Sequence, residues 1–373
     1  MRILLACGGT GGHLFPAIGL ISSLQQQKHE LFFITGMSAL EKELLPESYG
    51  NVQRIPSRKL PSHFSHWRSW GAFFIGTAKA IKQSLGILRK FRPDVVIGFG
   101  GYASIPVLAA ARCRGIPVLL HEQNIIPGKA NRLFSRCAKG VAVSFSQALP
   151  LWSFHPRVKI TGNPGPLRWQ KRRSQCQESK NVFLEQLKFE TTRKTLLVTG
   201  GSQGARSINQ IVSATLLQWF QVAPEQAKKI QVIHLTGDAD FEQVKQAYEK
   251  LSVRSYVTPF YQEMYQLYKV SDLAITRAGA TTLSELAHFG VPAILIPYPY
   301  AGAHQSENAR VFEKEGAAVV LEQSKATPET MIRLFDLLFS SQSPLREMKQ
   351  AVKRLTIPDV EKCFRQLIEE AVR

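Results

Sequence analysis

Four short stretches carry residues able to act on a phosphorylated ligand. Gly8-Gly9-Thr10-Gly11-Gly12-His13 follows the apolar run 3–7 and precedes a helical pattern over 16–27. Strand, glycines and helix start, in that order, present unpaired backbone N–H groups and a positive helix end to an anion. Gly98-Phe99-Gly100-Gly101-Tyr102 repeats the arrangement after the strand-like run 95–98, so Gly9, Gly100, Gly101 and Tyr102 are expected to cradle a diphosphate. His121-Glu122-Gln123-Asn124 closes another apolar run. Four hydrogen-bonding side chains are costly to bury without partners, so they are expected to face a cleft, the alternative being a fully satisfied structural network. Arg277-Ala278-Gly279-Ala280-Thr281-Thr282-Leu283-Ser284-Glu285 places small residues and hydroxyls at a helix start. There Glu285 either accepts ribose hydroxyls or closes a capping box with Thr282.

The elements that must position these residues come in two sets. Leu4-Leu5-Ala6-Cys7-Gly8-Gly9-Thr10-Gly11-Gly12 is echoed 192 residues later by Leu196-Leu197-Val198-Thr199-Gly200-Gly201-Ser202-Gln203-Gly204. Apolar runs at 3–7, 31–35, 95–98, 118–121 and 141–145 alternate with helical patterns. Runs at 195–199, 231–236, 255–258, 273–276, 293–297 and 317–321 do so again. Continuous rather than alternating apolar runs mark strands buried on both faces, hence parallel sheets. The predicted fold class is α/β, two Rossmann-like doubly wound domains facing a cleft where ligands bind at the carboxyl ends of the strands. The predicted boundary is Gly162-Asn163-Pro164-Gly165-Pro166, giving domains 1–162 and 163–358; no local pattern says which domain the helical segment 359–373 packs on, and the first is the candidate.

The 373 residues carry a formal net charge of +19, unevenly placed: residues 1–162 hold 20 Lys and Arg against 6 Asp and Glu. A basic first half attracts a membrane surface, nucleic acid or a phosphorylated substrate. No nucleic-acid-binding motif accompanies the charge, so nucleic acid is not expected as a partner. Cys7, Cys113, Cys137, Cys176 and Cys363 are scattered without metal-ligand spacing, which points to a reducing, cytoplasmic setting and no zinc. Asp238-Ala239-Asp240 could hold a divalent metal, but acidic residues opening a polar helix account for it, and no metal is expected. In the stretch 70–88 a helix would line up Trp70, Phe73, Phe74, Thr77, Ile81, Leu85 and Leu88, with Lys79, Lys82, Arg89 and Lys90 opposite. The lysines rule out a membrane span. Phe64, Trp67, Trp70 and Ile75 exceed what one buried stripe needs, and Trp67, Trp70, Phe74 and Ile75 with Arg68, Lys79 and Lys82 suit a peripheral membrane interface.

Taken together, the stretches 8–16, 98–102, 121–124, 200–205 and 277–285 resemble, in order and spacing, the MurG family of bacterial N-acetylglucosaminyltransferases, in glycosyltransferase family 28. The resemblance implies a glycosyltransferase B fold, with acceptor bound mainly by the first domain and nucleotide sugar mainly by the second. It implies inverting transfer of N-acetylglucosamine from UDP-N-acetylglucosamine to the C4 hydroxyl of lipid I, undecaprenyl-pyrophosphoryl-MurNAc-pentapeptide, to give lipid II. By this likeness, donor contacts fall on Thr10, Gly11, Gly12, Asn124, Arg168, Ser202, Tyr261, Ala280, Thr281, Thr282, Leu283, Ser284, Glu285 and Gln305. No cofactor is implied. The implied location is the cytoplasmic face of the cell membrane, with an anionic membrane surface and proteins of cell-wall synthesis and division as partners. Two positions depart from the family pattern: Gly165-Pro166 follows Gly162-Asn163-Pro164 where valine and arginine are usual, leaving Arg168 the nearest arginine, and Ala303 stands where an acidic residue often precedes the His-Gln pair.

Inversion calls for a base at the acceptor and fixed donors at the leaving diphosphate. His13 and Glu122, both at first-domain strand ends, are the candidate bases, His13 the favoured one. The competing enzyme is a related transferase acting on another lipid or small-molecule acceptor; a UDP-sugar epimerase on the same plan is a second alternative, and it would need no acceptor.

Overall fold

The structure is a computed structural model and describes residues 1–45, 51–56, 67–165, 180–201, 204–251, 253–300 and 303–373. The chain divides into two compact units, Met1–Leu167 with Ile357–Arg373, and Arg168–Thr356.

In the first unit, β1 (Arg2–Ala6), β2 (Glu30–Thr35), β3 (Asn51–Arg54), β4 (Val95–Gly98), β5 (Val118–Glu122), β6 (Gly140–Val143) and β7 (Val158–Ile160) form one sheet. Their order is β3-β2-β1-β4-β5-β6-β7, and every pairing is parallel. The burial of β1 shows why its run is continuous: Ile3 and Leu5 join one core, Leu4 and Ala6 the core on the opposite face, and all four are fully buried. The edge strands β3 and β7 lie outside the predicted runs. β3 alternates exposed and half-buried positions, and β7 has three half-buried residues. An edge strand has only one neighbour to bury it, so its sequence carries little apolar signal.

The helices of this unit are α1 (Gly11–Gly19), α2 (Ile21–Gln26), α3 (Ala39–Leu44), α4 (Trp67–Phe91), α5 (Ser104–Cys113) and α6 (Lys129–Phe134). α1 begins inside the glycine stretch rather than at Pro16, because Thr10 is still extended (φ −145°, ψ 161°) and the helical turn starts at the next residue. In α4, Ala80, Ser84, Ile87, Leu88 and Phe91 are buried, while Phe74, Ile75, Lys79, Lys82, Arg89 and Lys90 are exposed. Phe74 therefore sits on the outer face with the lysines and not on the inner stripe, since positions 74, 75, 78, 79 and 82 recur at helical spacing.

The second unit has β8 (Lys194–Thr199), β9 (Ile230–Leu235), β10 (Arg254–Thr258), β11 (Leu273–Thr276), β12 (Ala293–Leu295) and β13 (Ala318–Val320). Their order is β10-β9-β8-β11-β12-β13, again all parallel. Its helices are α7 (Lys180–Gln186), α8 (Arg206–Val222), α9 (Pro224–Ala227), α10 (Phe241–Glu249), α11 (Met264–Val270), α12 (Ala280–Phe289), α13 (His304–Lys314), α14 (Pro328–Leu338) and α15 (Leu345–Arg354). The last helix, α16 (Val360–Val372), returns to the first unit, where Phe364, Leu367, Ile368 and Ala371 pack with Ile3 and Leu5.

In both sheets the strand order reverses beside the first strand, at β1/β4 and at β8/β11. Chain leaving two such neighbours diverges to opposite faces and opens a crevice at their carboxyl ends. The glycine turns at 8–12 and 98–102 leave β1 and β4; Gly200-Gly201 and the segment 277–279 leave β8 and β11.

Candidate active site

In the first unit the two glycine turns meet at His13. β1 and β4 are paired with Ala6 opposite Gly98. Gly101 has φ +81°, and a Cβ there would stand 2.0 Å from the Gly8 carbonyl oxygen and 3.3 Å from His13 Cδ2. A Cβ on Gly100, at φ +88°, would stand 3.1 Å from His13 Cε1. Glycine alone lets both turns close on the imidazole. His13 itself is half-buried in the first turn of α1. That turn also holds Gly11 and Gly12, whose N–H groups are among those a helix start leaves without intrahelical partners. Thr10 is exposed just before it, and Tyr102 is half-buried beside Gly101.

Gly9 behaves differently. Its N–H donates to Glu41 Oε1 at 2.8 Å, as does that of Gly36 at 2.9 Å. Glu41 Oε2 accepts the N–H of Ser38 at 2.7 Å and its hydroxyl at 2.6 Å. Burial alone would raise the Glu41 carboxyl; the hydrogen bonds from Ser38, Gly9 and Gly36 outweigh it and hold the group below its usual value. The Gly9 N–H is thus taken by an internal anion and has nothing to offer a diphosphate, contrary to the expectation from the sequence. Glu41 escaped the sequence reading, although Ser38-x-x-Glu41 is a capping-box pattern and forms one at the start of α3.

The stretch that ends β5 is a network rather than a row of cleft-facing side chains. His121, Glu122 and Gln123 are all buried, and only Asn124 is half-exposed. Glu122 Oε2 accepts the Gly128 N–H and the Asn131 amide, each at 2.8 Å, while Oε1 accepts the Asn124 N–H at 3.1 Å. Both carboxylate oxygens are occupied in shaping the turn that carries Asn124, which removes Glu122 as a candidate base. His121 lies between the rings of Phe99 and Phe364, at 5.6 and 5.1 Å between centroids, and burial drives its pKa down to about 3. Gln123 links it to His13: the Gln123 amide nitrogen lies 3.1 Å from His121 Nδ1, and its oxygen lies 3.1 Å from His13 Nδ1.

In the second unit the repeated turn keeps its conformation at first and then departs. Gly201 has φ +93°, matching +95° at Gly9, and neither would meet an atom within 4 Å of a Cβ. Helix α8 then starts at Arg206, later than the matching point in the first turn, and Gly204 closes against the Thr236 carbonyl, 2.0 Å from where a Cβ would be.

At α12 the helix caps on Gly279, without a side-chain cap, so Thr282 and Glu285 form no capping box. Ala280 and Leu283 turn their side chains into the core, leaving them only backbone to offer a ligand. Thr281 and Thr282 are half-buried, and the Ser284 hydroxyl donates to the Ala280 carbonyl at 3.0 Å. Glu285 lies further along the helix, where Tyr268 of α11 donates its hydroxyl to Oε2 at 2.6 Å. Burial pushes the Glu285 carboxyl up to about 7, opposed by the Tyr268 hydrogen bond. Tyr268, itself buried and missed by the sequence reading, stacks on Phe289.

Gln305 accepts the Tyr298 N–H at 2.9 Å and so ties α13 to the loop after β12. The Tyr261 hydroxyl donates to Gln266 at 2.7 Å, with Phe183 and Tyr256 edge-on to its ring. Asp240 accepts from Asn209 at 2.8 Å and ends the short turn Asp238–Asp240 that leads into α10. Among the described residues no group of three or more His, Cys, Asp or Glu side chains is placed to hold a metal ion, and no helix is long and apolar enough to cross a membrane. Phe64, Arg168 and Ser202 lie outside the described residues. Trp67 begins α4, and Trp70 clusters with Phe73 and Phe74 at centroid distances of 6.2 and 6.0 Å.

Two doubly wound parallel sheets, with glycine-bearing turns at both switch points, are the architecture of glycosyltransferases of the B type. The models of the glycosyltransferase family 28 N-terminal and C-terminal domains match residues 3–143 and 195–364. The chain is 37% identical, over all of both chains, to the UDP-N-acetylglucosamine--N-acetylmuramyl-(pentapeptide) pyrophosphoryl-undecaprenol N-acetylglucosamine transferase of Halothermothrix orenii. It is 38% identical to the protein of the same name from Syntrophotalea carbinolica, over 96% of this chain and 95% of that one. It also superposes on the crystal structure of Acinetobacter baumannii MurG with a TM-score of 0.75 at 30% identity, covering 99% of each chain. The chain belongs to the MurG family of glycosyltransferases. A Neisseria meningitidis UDP-GlcNAc 2-epimerase bound to UDP-GlcNAc shares the fold, with a TM-score of 0.69, 14% identity and coverage of 99% of this chain and 100% of that one.

Proposed function

We propose that the chain transfers N-acetylglucosamine from UDP-N-acetylglucosamine to the C4 hydroxyl of lipid I, with inversion, to give lipid II for peptidoglycan synthesis. The observation that carries this reading is His13, clasped by two glycine turns in a chain alike over its full length to enzymes named for that reaction. The C4 oxygen attacks the anomeric carbon, the bond from that carbon to the diphosphate oxygen breaks, and its electron pair leaves on UDP. His13 Nε2 takes the C4 proton as the new bond forms. The helix start of α12 offers N–H groups to the leaving diphosphate, and Glu285 Oε1, the oxygen that Tyr268 does not use, accepts from the ribose. Helix ends and backbone donors carry the charge in this scheme, and no metal is assigned to it.

The outer face of α4 supports a peripheral membrane location, and the cytoplasmic side goes with the lipid I reading. Phe74 and Ile75, each more than half exposed, lead into Lys79, Lys82, Arg89 and Lys90 on the same helix. Apolar groups entering the headgroup layer beside lysines suit an anionic surface.

The test is incubation with labelled UDP-N-acetylglucosamine and a short-chain lipid I analogue in the presence of a metal chelator. Disaccharide product is expected. Release of an isomeric sugar nucleotide without acceptor would instead assign the chain to the epimerases, and product only on adding a divalent metal would overturn the metal-free scheme.

A further inference from the structure

The hydrogen-bond chain behind His13 has a direction, and that direction sets where its proton resides. The Gln123 amide nitrogen lies 2.9 Å from the Phe99 carbonyl oxygen, which accepts only. The amide is therefore oriented with NH2 toward Phe99 and oxygen toward His13, because the flipped amide would set two carbonyl oxygens against each other. Its second N–H lies between His121 Nδ1 at 3.1 Å and the His121 carbonyl oxygen at 3.3 Å, and Nδ1 is free to accept because Nε2 faces the Gly162 carbonyl, which needs a donor. His121 then carries its proton on Nε2 and donates it to the Gly162 carbonyl at 3.2 Å. Burial keeps this ring neutral, its pKa about 3, so the chain does not reverse by protonation near neutral pH. At the other end the Gln123 oxygen is 3.1 Å from His13 Nδ1, and an amide oxygen requires a donor there.

We propose that Gln123 is a positioning residue that holds His13 in its Nδ1–H tautomer, leaving the lone pair on Nε2. This rests on the transfer reaction proposed above and adds what makes His13 able to serve it. A histidine side chain free in water favours the opposite, Nε2–H form, in which the nitrogen at the acceptor already bears a proton. An amide cannot pass a proton onward, so the proton taken from the acceptor hydroxyl stays on Nε2 until solvent or product removes it. The Phe99 carbonyl fixes which way the Gln123 amide faces, and the buried His121 Nδ1 accepts from the same NH2.

The experiment is a two-bond 15N–1H correlation spectrum of the histidine-labelled wild-type chain at neutral pH, with His13 assigned by its loss in His13→Ala. The expected pattern is a protonated Nδ1 and a bare Nε2 at His13, with the reverse at His121. Finding His13 as Nε2–H overturns the proposal without any variant at Gln123. In parallel, Gln123→Met should lower kcat by roughly 10- to 100-fold, with KM for UDP-N-acetylglucosamine within about twofold and the His13 signals shifted toward Nε2–H. A folded Gln123→Met chain with wild-type kcat would also overturn it. Absence of any turnover by the wild type would refute the transfer reading and leave the tautomer assignment to the spectrum.

Discussion

Glu41 and Gly9 are joined by a hydrogen bond of 2.8 Å in which a buried carboxylate occupies the place that a phosphate oxygen would take in a glycine turn. The same carboxylate binds Gly36 and Ser38, tying the ends of β1 and β2 to the start of α3. Removing it strands buried N–H groups, each costing on the order of 1–3 kcal/mol. Glu41→Ala is expected to destabilise the protein by about 3–5 kcal/mol, and Glu41→Gln by about half that. Because the folded carboxyl sits below its ordinary value of 4.5, its contribution is present above that pH and lost as pH falls through the folded value. Denaturant titrations from pH 7 to pH 3 should show a shallower acid loss in Glu41→Gln, and a loss identical to wild type would refute the role.

Glu285 is shifted the opposite way, so its loss on acidification falls near neutral pH. Its carboxyl titrates at about 7, and only the ionised form accepts from ribose hydroxyls with both lone-pair directions available. The ionised fraction drops about tenfold between pH 8 and pH 6. KM for the donor should rise by a comparable factor over that range, with kcat changing less. Tyr268→Phe removes the hydroxyl that favours the charged form and should move this rise to higher pH. A donor KM flat across pH 6–8 would exclude Glu285 as the ribose ligand.

Gly101 separates backbone fit from ligand chemistry. In Gly101→Ala the new Cβ would meet the Gly8 carbonyl at 2.0 Å, at a φ that L residues rarely adopt. The turns must part and His13 loses one wall. A loss of about 2–4 kcal/mol in stability is expected, with turnover falling further than donor affinity. Gly9→Ala shares the positive φ but meets no atom within 4 Å, so it should cost less. Equal effects at the two positions would argue against close packing of the turns.

The outer face of α4 can be tested apart from the chemistry. Replacing Lys79 and Lys82 by glutamine should weaken binding to anionic vesicles by roughly 30-fold, at about 1 kcal/mol for each lysine. Replacing Phe74 and Ile75 by serine should weaken binding to neutral and anionic vesicles alike. Turnover of a short-chain, water-soluble acceptor should be unchanged in both variants. Unaltered co-sedimentation with vesicles would refute the membrane role of this face.

Much of the fold was legible because burial on both faces imposes continuous apolar runs. Each run in the first half has a strand of the sheet at or within a residue or two of its predicted ends, and α4 was readable from its helical spacing. The edge strands β3 and β7 were not, since a strand with one neighbour needs no such run.

The sequence by itself determined that there are two similar halves, that glycine turns follow their first strands, and that a histidine ends the first of these. It could not say what each polar group at those turns touches. Gly9 and Gly201 share their letters and their φ, yet α1 begins at Gly11 while α8 waits until Arg206. Glu41 reaches Gly9 across 32 positions, and Gln123 reaches His13 across 110. Hydrogen bonds depend on distance and direction in space, and parallel strands joined by crossovers bring together residues that no local pattern links. Only the tertiary structure decided that Glu41 binds the first turn, that Glu122 is occupied, and that the Gln123 amide oxygen is set against His13 Nδ1.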